Sequence, residues 1–219
     1  MPRLLFEKTG NAIWISHLDL MRVFQRAFKR AGLPLTHTNG FNPRPSVSIA
    51  LPLSVGVSSH CELLDFALDG SDVTCEEICN RLNQVLIAGV RVLDVYEEGR
   101  KIRDLSLLQC KISMVYDNGI PAGAVEKIEG LFCRDQLCVP KKTKTGIQEQ
   151  DIIPMIRKIE VTTDSERTVV IRGLICCQNP TLNPAQLPAA VSHYLADLLP
   201  DHVTCERIEV YDNNENVFR

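Results

Sequence analysis

The first hundred residues alternate between segments with helical and strand-like spacing of hydrophobic side chains. After Ser16 the apolar residues share one face of a predicted helix: Leu20, Val23, Phe24, Ala27, Phe28 and Ala31. Ser16 and Asp19 match the S-x-x-D capping pattern, in which side chains satisfy free amide groups at a helix start. Gly32, with Pro34 just beyond it, predicts where this helix ends.

Short apolar runs on either side of the helix predict strands. These runs occupy residues 3–10, 33–38, 46–53, 61–68 and 90–98, and the apolar segment 12–16 is expected to continue the first of them. A second helix is predicted over residues 72–86. The resulting order, β-α-β-β-α-β with a hairpin-like excursion, is typical of the split βαβ or ferredoxin-like arrangement.

The same order of elements recurs in the second half. Strands are predicted at residues 105–116, 136–141, 167–177 and 202–211, and helices at 121–132 and 183–199, with Pro121 and Pro184 at their first positions. Residues 151–161 are expected to be irregular or a single helical turn that leads into a strand. We therefore expect an α+β fold of two tandem ferredoxin-like domains with antiparallel sheets, at residues 1–99 and 104–219, joined by a charged linker.

Charge is distributed unevenly along the chain. Seven Lys and Arg residues against two Asp and Glu residues give residues 1–58 a net charge of +5. The whole chain carries −3, which leaves −8 for the remainder. Such asymmetry favours an anionic partner that docks on the N-terminal region.

The turn NGFNPRPS combines residues that stiffen the backbone with groups that bind nucleic acid. Asn39-Gly40 is a turn signal, while Pro43 and Pro45 fix their own φ and restrict the residue before each of them. Arg44 therefore lies on a rigid segment and loses little conformational entropy when it binds a phosphate. Phe41 offers a face on which a base can stack. The alternative is a rigid connection in which Phe41 packs inward and Arg44 is merely solvated.

The polar face of the first helix and a later basic turn, KTKTG, add further cations. The candidate nucleic-acid-binding residues are Arg22, Arg26, Lys29, Arg30, Phe41, Arg44, Lys142 and Lys144. Cations on a solvent-facing helix are also often only solvated, so that interpretation stays open.

Two histidines in the same region are candidates for acid–base catalysis. His17 and His37 would act as in a metal-independent ribonuclease, although a first-turn helix position and a strand position explain them equally well. The sequence has no Walker loop, GxGxxG, GxSxG or HExxH motif. We accordingly expect no cofactor.

Nine cysteines, an odd number, argue against a closed disulfide framework. Most of them fall in apolar runs, which is typical of buried, reduced thiols. Cys133, Cys138, Cys176 and Cys177 are the candidates for a metal site, but their spacing is not that of a zinc knuckle, and we predict no metal. With no apolar run of about 20 residues and no secretory pattern at the N-terminus, the chain is expected to be cytoplasmic, without a membrane partner.

The segment SHLDLMRVFQRAFKRAGLPLTHTNGFNPRPSVSIALPLSVGVSS…ELLDFAL resembles the opening of the bacterial radical-SAM-linked protein family. The likeness is dense from Phe6 to Leu68 and continues through VPKKTKTG and DIIPMI in the second half. Members of that family are encoded beside, or fused to, a radical-SAM enzyme. The resemblance therefore implies a radical-SAM enzyme as partner.

A looser likeness, carried by a helix ending in RAGLP and followed by the GFNPRP turn, is to Cas6-like RNA-binding proteins with tandem ferredoxin-like folds. Three functions stay open at this point. The first is an accessory protein that binds tRNA or ribosomal RNA and presents it to the radical-SAM enzyme. The second is a metal-independent RNA-processing enzyme of Cas6-like type, and the third is a module that docks the enzyme without nucleic acid.

Overall fold

The computed structural model describes residues 1–70, 72–143 and 146–219. The chain divides into two compact units: unit 1 comprises Met1–Asp104 with Val217–Arg219, and unit 2 comprises Leu105–Asn216. Both combine helices with antiparallel strands, so the predicted α+β class is confirmed. Among the described ranges, no helix has both the length and the apolar character that a membrane crossing requires.

In unit 1 the described residues form two α-helices and four strands, besides short 3-10 helices. In chain order these are β1 (Arg3–Lys8), α1 (His17–Arg30), β2 (Val47–Ile49), β3 (Val57–Phe66), α2 (Cys75–Asn83) and β4 (Val90–Tyr96). The strands lie in the order β4-β1-β3-β2, and each neighbouring pair is antiparallel. The first strand is thus central although its neighbours come later in the chain.

Helix α1 forms where the sequence predicts it. The Ser16 hydroxyl accepts a hydrogen bond from the Asp19 amide, and Gly32, with φ of 67°, follows the helix end. Its apolar face packs on the sheet: the Phe24 ring meets Phe6 edge-on at 4.7 Å between centroids, and Phe28 lies 5.1 Å from Phe66. Because all four rings are fully buried, each stabilises the fold by roughly 1.5–3 kcal/mol.

Helix α2 is shorter than the sequence predicts. Thr74 is its N-cap, and Thr74 and Glu77 form a complete capping box in which each side chain bonds the other residue's backbone amide. Ile78 and Leu82 are buried in the core of unit 1.

The part of unit 2 that the structure describes forms two α-helices and six strands, besides short 3-10 helices. They are β5 (Leu105–Val115), α3 (Ala124–Phe132), β6 (Cys138–Thr143), β7 (Gly146–Asp151), β8 (Ile156–Ser165), β9 (Thr168–Cys176), α4 (Gln186–Tyr194) and β10 (His202–Asp212). Four of the strands form an antiparallel sheet in the order β10-β5-β9-β8. β6 and β7 pair only with each other, as a separate two-stranded ribbon.

Several local predictions were wrong, each for an identifiable reason. Residues 10–14 form a 3-10 helix rather than a continuation of β1, and residues 33–38 make only isolated bridges. Pro121 precedes α3 instead of opening it, because Gly123 takes the left-handed N-cap position with φ of 71°. α4 ends at Tyr194, and a separate 3-10 helix follows at Ala196–Leu198.

The last three residues lie with unit 1, whereas the sequence placed them in the second domain. Phe218 is fully buried there, with the guanidinium of Arg3 5.4 Å and that of Arg100 5.0 Å from its ring centroid. Arg3 is itself buried and bonded to Asp65. A cation–aromatic cluster therefore closes this edge of unit 1.

Candidate nucleic-acid interface

Helix α1 separates its apolar and basic residues cleanly. Leu20, Phe24, Ala27 and Phe28 are buried, whereas Arg22, Arg26, Lys29 and Arg30 are all exposed. A helix turns once every 3.6 residues, so the pattern that buries one face necessarily leaves these four cations on the other.

The four helix cations are not equivalent. Arg22 forms an ion pair of 2.7 Å with Asp19, one turn earlier. The Ser16 hydroxyl and then Arg22 hold the pKa of Asp19 below its ordinary value, so the carboxylate stays charged and offsets Arg22. Arg22 therefore contributes less positive potential than its position suggests.

Arg30, Arg26 and Lys29 differ in how they are held. The Arg30 Nη2 atom donates a hydrogen bond of 2.6 Å to the Val85 carbonyl, which fixes the guanidinium between α1 and the segment after α2. In the described part of the chain, no hydrogen bond or ion pair engages the side chains of Arg26 and Lys29. These two cations are thus available to an anionic ligand without first breaking an internal contact.

The NGFNPRPS segment forms the tip of a braced hairpin. The Thr38 amide donates to the Arg44 carbonyl at 2.9 Å, and the Arg44 amide donates to the Thr38 hydroxyl at 3.0 Å. Below this pair, His37 and Pro45 form an antiparallel bridge, and the Ser46 amide donates to the Thr36 carbonyl at 2.8 Å. Hydrogen bonds between residues 36–38 and 44–46 therefore hold the two sides of the loop together.

Phe41 stands at the tip of this hairpin with its ring fully in solvent. Its relative exposure of 108% contradicts the alternative in which the ring packs inward. Gly40 beside it has φ of 140°, a conformation that a side chain disfavours, so the glycine makes this turn possible. The Arg44 side chain is also exposed.

Two open grooves flank the C-terminal half of α1. One has a volume of about 440 Å³, lies between α1 and the hairpin, and is lined by Gln25, Lys29, Gly32, Leu33, Pro34, Leu35, His37 and Pro45. The other, of about 320 Å³, is lined by Val23, Arg26, Lys29, Arg30 and Ile87. Lys29 lines both grooves, so the two grooves form one continuous surface along α1. We call this surface, which carries Arg26 and Lys29, the Lys29 ridge.

The candidate histidines occupy different environments. His37 is exposed and lines the groove between α1 and the hairpin, whereas His17 is half-buried at the first position of α1. Neither ring forms a hydrogen bond to another residue within the described ranges. A base oriented by a second group, as acid–base catalysis commonly uses, is therefore not assembled around either ring by the protein alone.

Only part of the predicted basic turn of the second half lies within the described residues. Lys142 is in β6, where its backbone pairs with that of Ile147, and the Ile147 side chain is 75% exposed. Lys144 lies outside the described residues. The ribbon belongs to unit 2, and the structure tests neither lysine as a ligand-binding residue.

The nine cysteines are free thiols. Burial raises the pKa of Cys110 and of Cys177 to about 12, while Cys133 is exposed and Cys138 is half-buried. Across the described part of the chain, no three His, Cys, Asp or Glu side chains are grouped as metal ligands would be.

Two residues counted in the basic surface by sequence are buried instead. Arg3 is 2% exposed and makes a two-point contact with Asp65, with its Nε and Nη2 atoms at 2.6 and 3.0 Å from the carboxylate. Lys8 is 1% exposed, and its ammonium donates to the carbonyls of Ile13 and Ile15. The positive surface of unit 1 is therefore smaller and more concentrated on α1 and the hairpin than the sequence charge implied.

Sequence reasoning also missed residues that shape the groove. Gln25 lines it next to Lys29, and Leu33, Pro34 and Leu35 form its apolar side. The only sequence signal was their place directly between the basic helix and the loop, since nothing in their identity points to a ligand.

Residues 2–184 match the bacterial family described as "Uncharacterized protein conserved in bacteria (DUF2344)". No curated protein has a significant sequence match to this chain. Among solved structures, a chain in the crystal structure of a Cbf5-Nop10-Gar1 complex has a TM-score of 0.52 at 10% identity, over 95% of this chain and 48% of that one. This likeness concerns the fold, and the chain spans about half the length of that relative.

Two further solved structures show weaker likeness. A chain of the archaeal box H/ACA sRNP Nop10-Cbf5 complex has a TM-score of 0.43 at 9% identity, over 94% of this chain and 46% of that one. A protein of unknown function from Galdieria sulphuraria has a TM-score of 0.26 at 9% identity, over 94% and 95% of the two chains.

Proposed function

We propose that this chain, which belongs to the bacterial DUF2344 family, is an accessory protein that binds RNA on the Lys29 ridge of unit 1. The observation that carries the proposal is the exposed surface on which Lys29 joins the two grooves beside α1. Phosphates supply most of the affinity in protein–RNA contacts, and they require cations that are not already engaged. Arg26 and Lys29 meet this requirement, and Arg44 adds a third charge on a braced loop.

The hairpin strengthens the proposal because it carries an exposed aromatic ring, Phe41, on the same loop as Arg44. The Phe41 ring is fully exposed at this tip, so its faces are accessible to a base. RNA-binding surfaces commonly combine aromatic rings, on which bases stack, with basic side chains that bind phosphates.

The proposed partner is a radical-SAM enzyme, to which the chain would present tRNA or ribosomal RNA. Support for this part comes from the sequence resemblance of residues 6–68 to radical-SAM-linked proteins. Copurification of the two proteins from cells, with and without ribonuclease treatment, tests it. A complex that survives ribonuclease but is lost in Arg44→Ala would instead favour direct protein docking by the hairpin.

We further propose that each unit is a ferredoxin-like domain, with the unit boundary at Asp104. In unit 1, β3 lies between β1 and β2, which is the split βαβ pattern. In unit 2, β9 lies between β5 and β8 in the same way, if the β6–β7 ribbon is treated as an insertion after α3.

A titration against total cellular RNA at two salt concentrations tests the RNA proposal. We expect binding that weakens steeply with salt, because phosphate contacts release counterions. The Arg26→Ala/Lys29→Ala double variant should bind at least about tenfold more weakly, since both charges face the grooves. Arg22→Ala is the matched control on the same helix, and absence of binding or binding insensitive to salt rejects the proposal.

RNA processing is the second candidate function, favoured by the position of His37 in the groove beside Lys29. Incubation of end-labelled RNA with the wild type, His37→Ala and His17→Ala decides between binding and cleavage. Cleavage by the wild type that disappears only in His37→Ala would establish it, whereas intact RNA in every sample leaves binding as the function.

A further inference from the structure

The hairpin tip presents an aromatic ring that is accessible for stacking. The ring of Phe41 is in solvent, and two hydrogen bonds between Thr38 and Arg44 close the loop that carries it. Pro43 and Pro45 fix two further backbone angles within this turn. The loop that carries the ring is therefore ordered before binding, so little conformational entropy is lost when a base stacks on the ring.

A stacking ring of this kind has no partner on a double helix. Bases in an A-form duplex are stacked on their neighbours and offer only their edges and the backbone. An unpaired nucleotide, in contrast, exposes the face of its base to an aromatic side chain. The Lys29 ridge alone would attract either form, because both carry phosphates.

The neighbouring groove fits the same ligand. Leu33, Pro34, Leu35 and Pro45 give it an apolar side, while Gln25, Lys29 and His37 place polar groups along it. A base can rest against the apolar side, and the Gln25 amide can both donate and accept a hydrogen bond. Lys29 lines the same groove, and its ammonium can pair with a phosphate of the same strand.

We infer that the ligand of unit 1 is a single-stranded RNA segment, with one base stacked on Phe41 and the following nucleotide in the groove beside Lys29. This inference rests on the proposed RNA binding and adds the class of RNA and the residue that selects it. Phe41 then determines specificity for unpaired RNA, whereas Arg26, Lys29 and Arg44 supply affinity that does not depend on base pairing.

Fluorescence anisotropy with the full chain tests the inference with two probes of equal length, a single-stranded oligouridine and an RNA duplex. We expect the single strand to bind at least about tenfold more tightly. Phe41→Leu should weaken its binding by about 5- to 150-fold, the range of one stacked base, without changing duplex binding. Phe41→Tyr should bind like the wild type because it keeps the ring.

The matched control is Trp14→Leu, which removes another exposed aromatic ring of unit 1, one that lies next to Gly56. It should leave both affinities unchanged. The chain has a single tryptophan, so Trp14→Phe/Phe41→Trp places one fluorophore at the tip, and the single strand should quench it more than the duplex.

The possible results distinguish selection of single-stranded RNA by Phe41 from RNA binding on the Lys29 ridge. Equal affinity for the two probes, or single-strand binding unaffected by Phe41→Leu, overturns the inference. If Arg26→Ala/Lys29→Ala still weakens binding in that case, RNA binding stands without single-strand selection. Absence of binding to both probes overturns both.

Discussion

The Lys8 ammonium donates a hydrogen bond of 2.8 Å to the carbonyl of Ile15, the residue directly before the N-cap of α1. A second bond of 3.1 Å reaches the carbonyl of Ile13. A buried lysine on β1 thereby fixes the short segment through which the chain enters its basic helix. The orientation of the Lys29 ridge depends on this contact as well as on the packing of Phe24 and Phe28.

Replacing Lys8 with methionine should destabilise the protein by about 3 kcal/mol. The half-buried Ile15 carbonyl loses the ammonium, and the Ile13 carbonyl loses it too but keeps the Gly56 amide as donor. The buried carboxylate of Glu62 loses the ammonium that attracts it. Urea unfolding monitored by circular dichroism measures the change. A variant as stable as the wild type would show that the ammonium does not hold this segment.

The contribution of Lys8 should also depend on pH in a defined direction. Burial lowers the pKa of Lys8 below its ordinary 10.5, and the attraction of Glu62 offsets this only in part. Between the lowered value and 10.5 the unfolded chain binds more protons than the folded one, so the free energy of unfolding rises with pH in that window. The stability difference between the wild type and Lys8→Met should therefore grow as pH approaches 10.5, and a difference that shrinks would contradict this.

The cap of α1 should confer sensitivity to acid. Ser16→Ala removes the acceptor for the Asp19 amide and should destabilise the protein by about 1 kcal/mol. The Ser16 hydroxyl and Arg22 lower the pKa of Asp19, so the stabilisation is present above the ordinary value of 3.8 and is lost as pH falls through the lower folded value. Unfolding curves from pH 2 to 6 should show a smaller acid-dependent loss in Asp19→Asn than in the wild type, and equal losses would contradict this.

Sequence patterns predicted the helix and the loop of the interface well because their signals are local. Ser16 and Asp19 cap the first turn of α1, and Gly32 follows its last turn. Asn39-Gly40 and two prolines specify the hairpin tip. The ribbon strand β7 was missed because GIQEQD has no alternation of apolar residues and is held by backbone pairing with β6. Segment 12–16 was predicted as strand from its apolar residues alone. Its turn is held by the Lys8 ammonium and by backbone hydrogen bonds, including one from the Gly56 amide to the Ile13 carbonyl.

The burial of charged residues was beyond what the sequence could predict. In the sequence, Arg3 and Lys8 cannot be distinguished from the cations of α1. They lie at the two ends of β1, a central strand in which every residue except Glu7 is buried. Asp65, the partner of Arg3, lies far along the chain on β3. The charge count therefore located a basic region along the chain, while the structure shows which of its cations face solvent.

Thiol reactivity tests the burial of the cysteines. We expect Cys133, which is exposed, to react with Ellman's reagent much faster than the other eight thiols at pH 8. Burial raises the pKa of Cys110 and Cys177 to about 12 and that of Cys205 to about 11, so these groups stay protonated and inert. Cys133→Ser should remove the fast phase, and a fast phase that persists would place another thiol at the surface.

The central claim, that RNA binds to the cations of the Lys29 ridge, is tested most directly by the salt dependence of binding. The logarithm of the binding constant should fall linearly with the logarithm of salt concentration for the wild type and for Arg22→Ala. For Arg26→Ala/Lys29→Ala the slope should be shallower by about 1.4, which corresponds to two lost phosphate contacts with a single strand. Slopes that are the same in the wild type and in this double variant would contradict the claim, because the phosphates would then lie elsewhere on the protein.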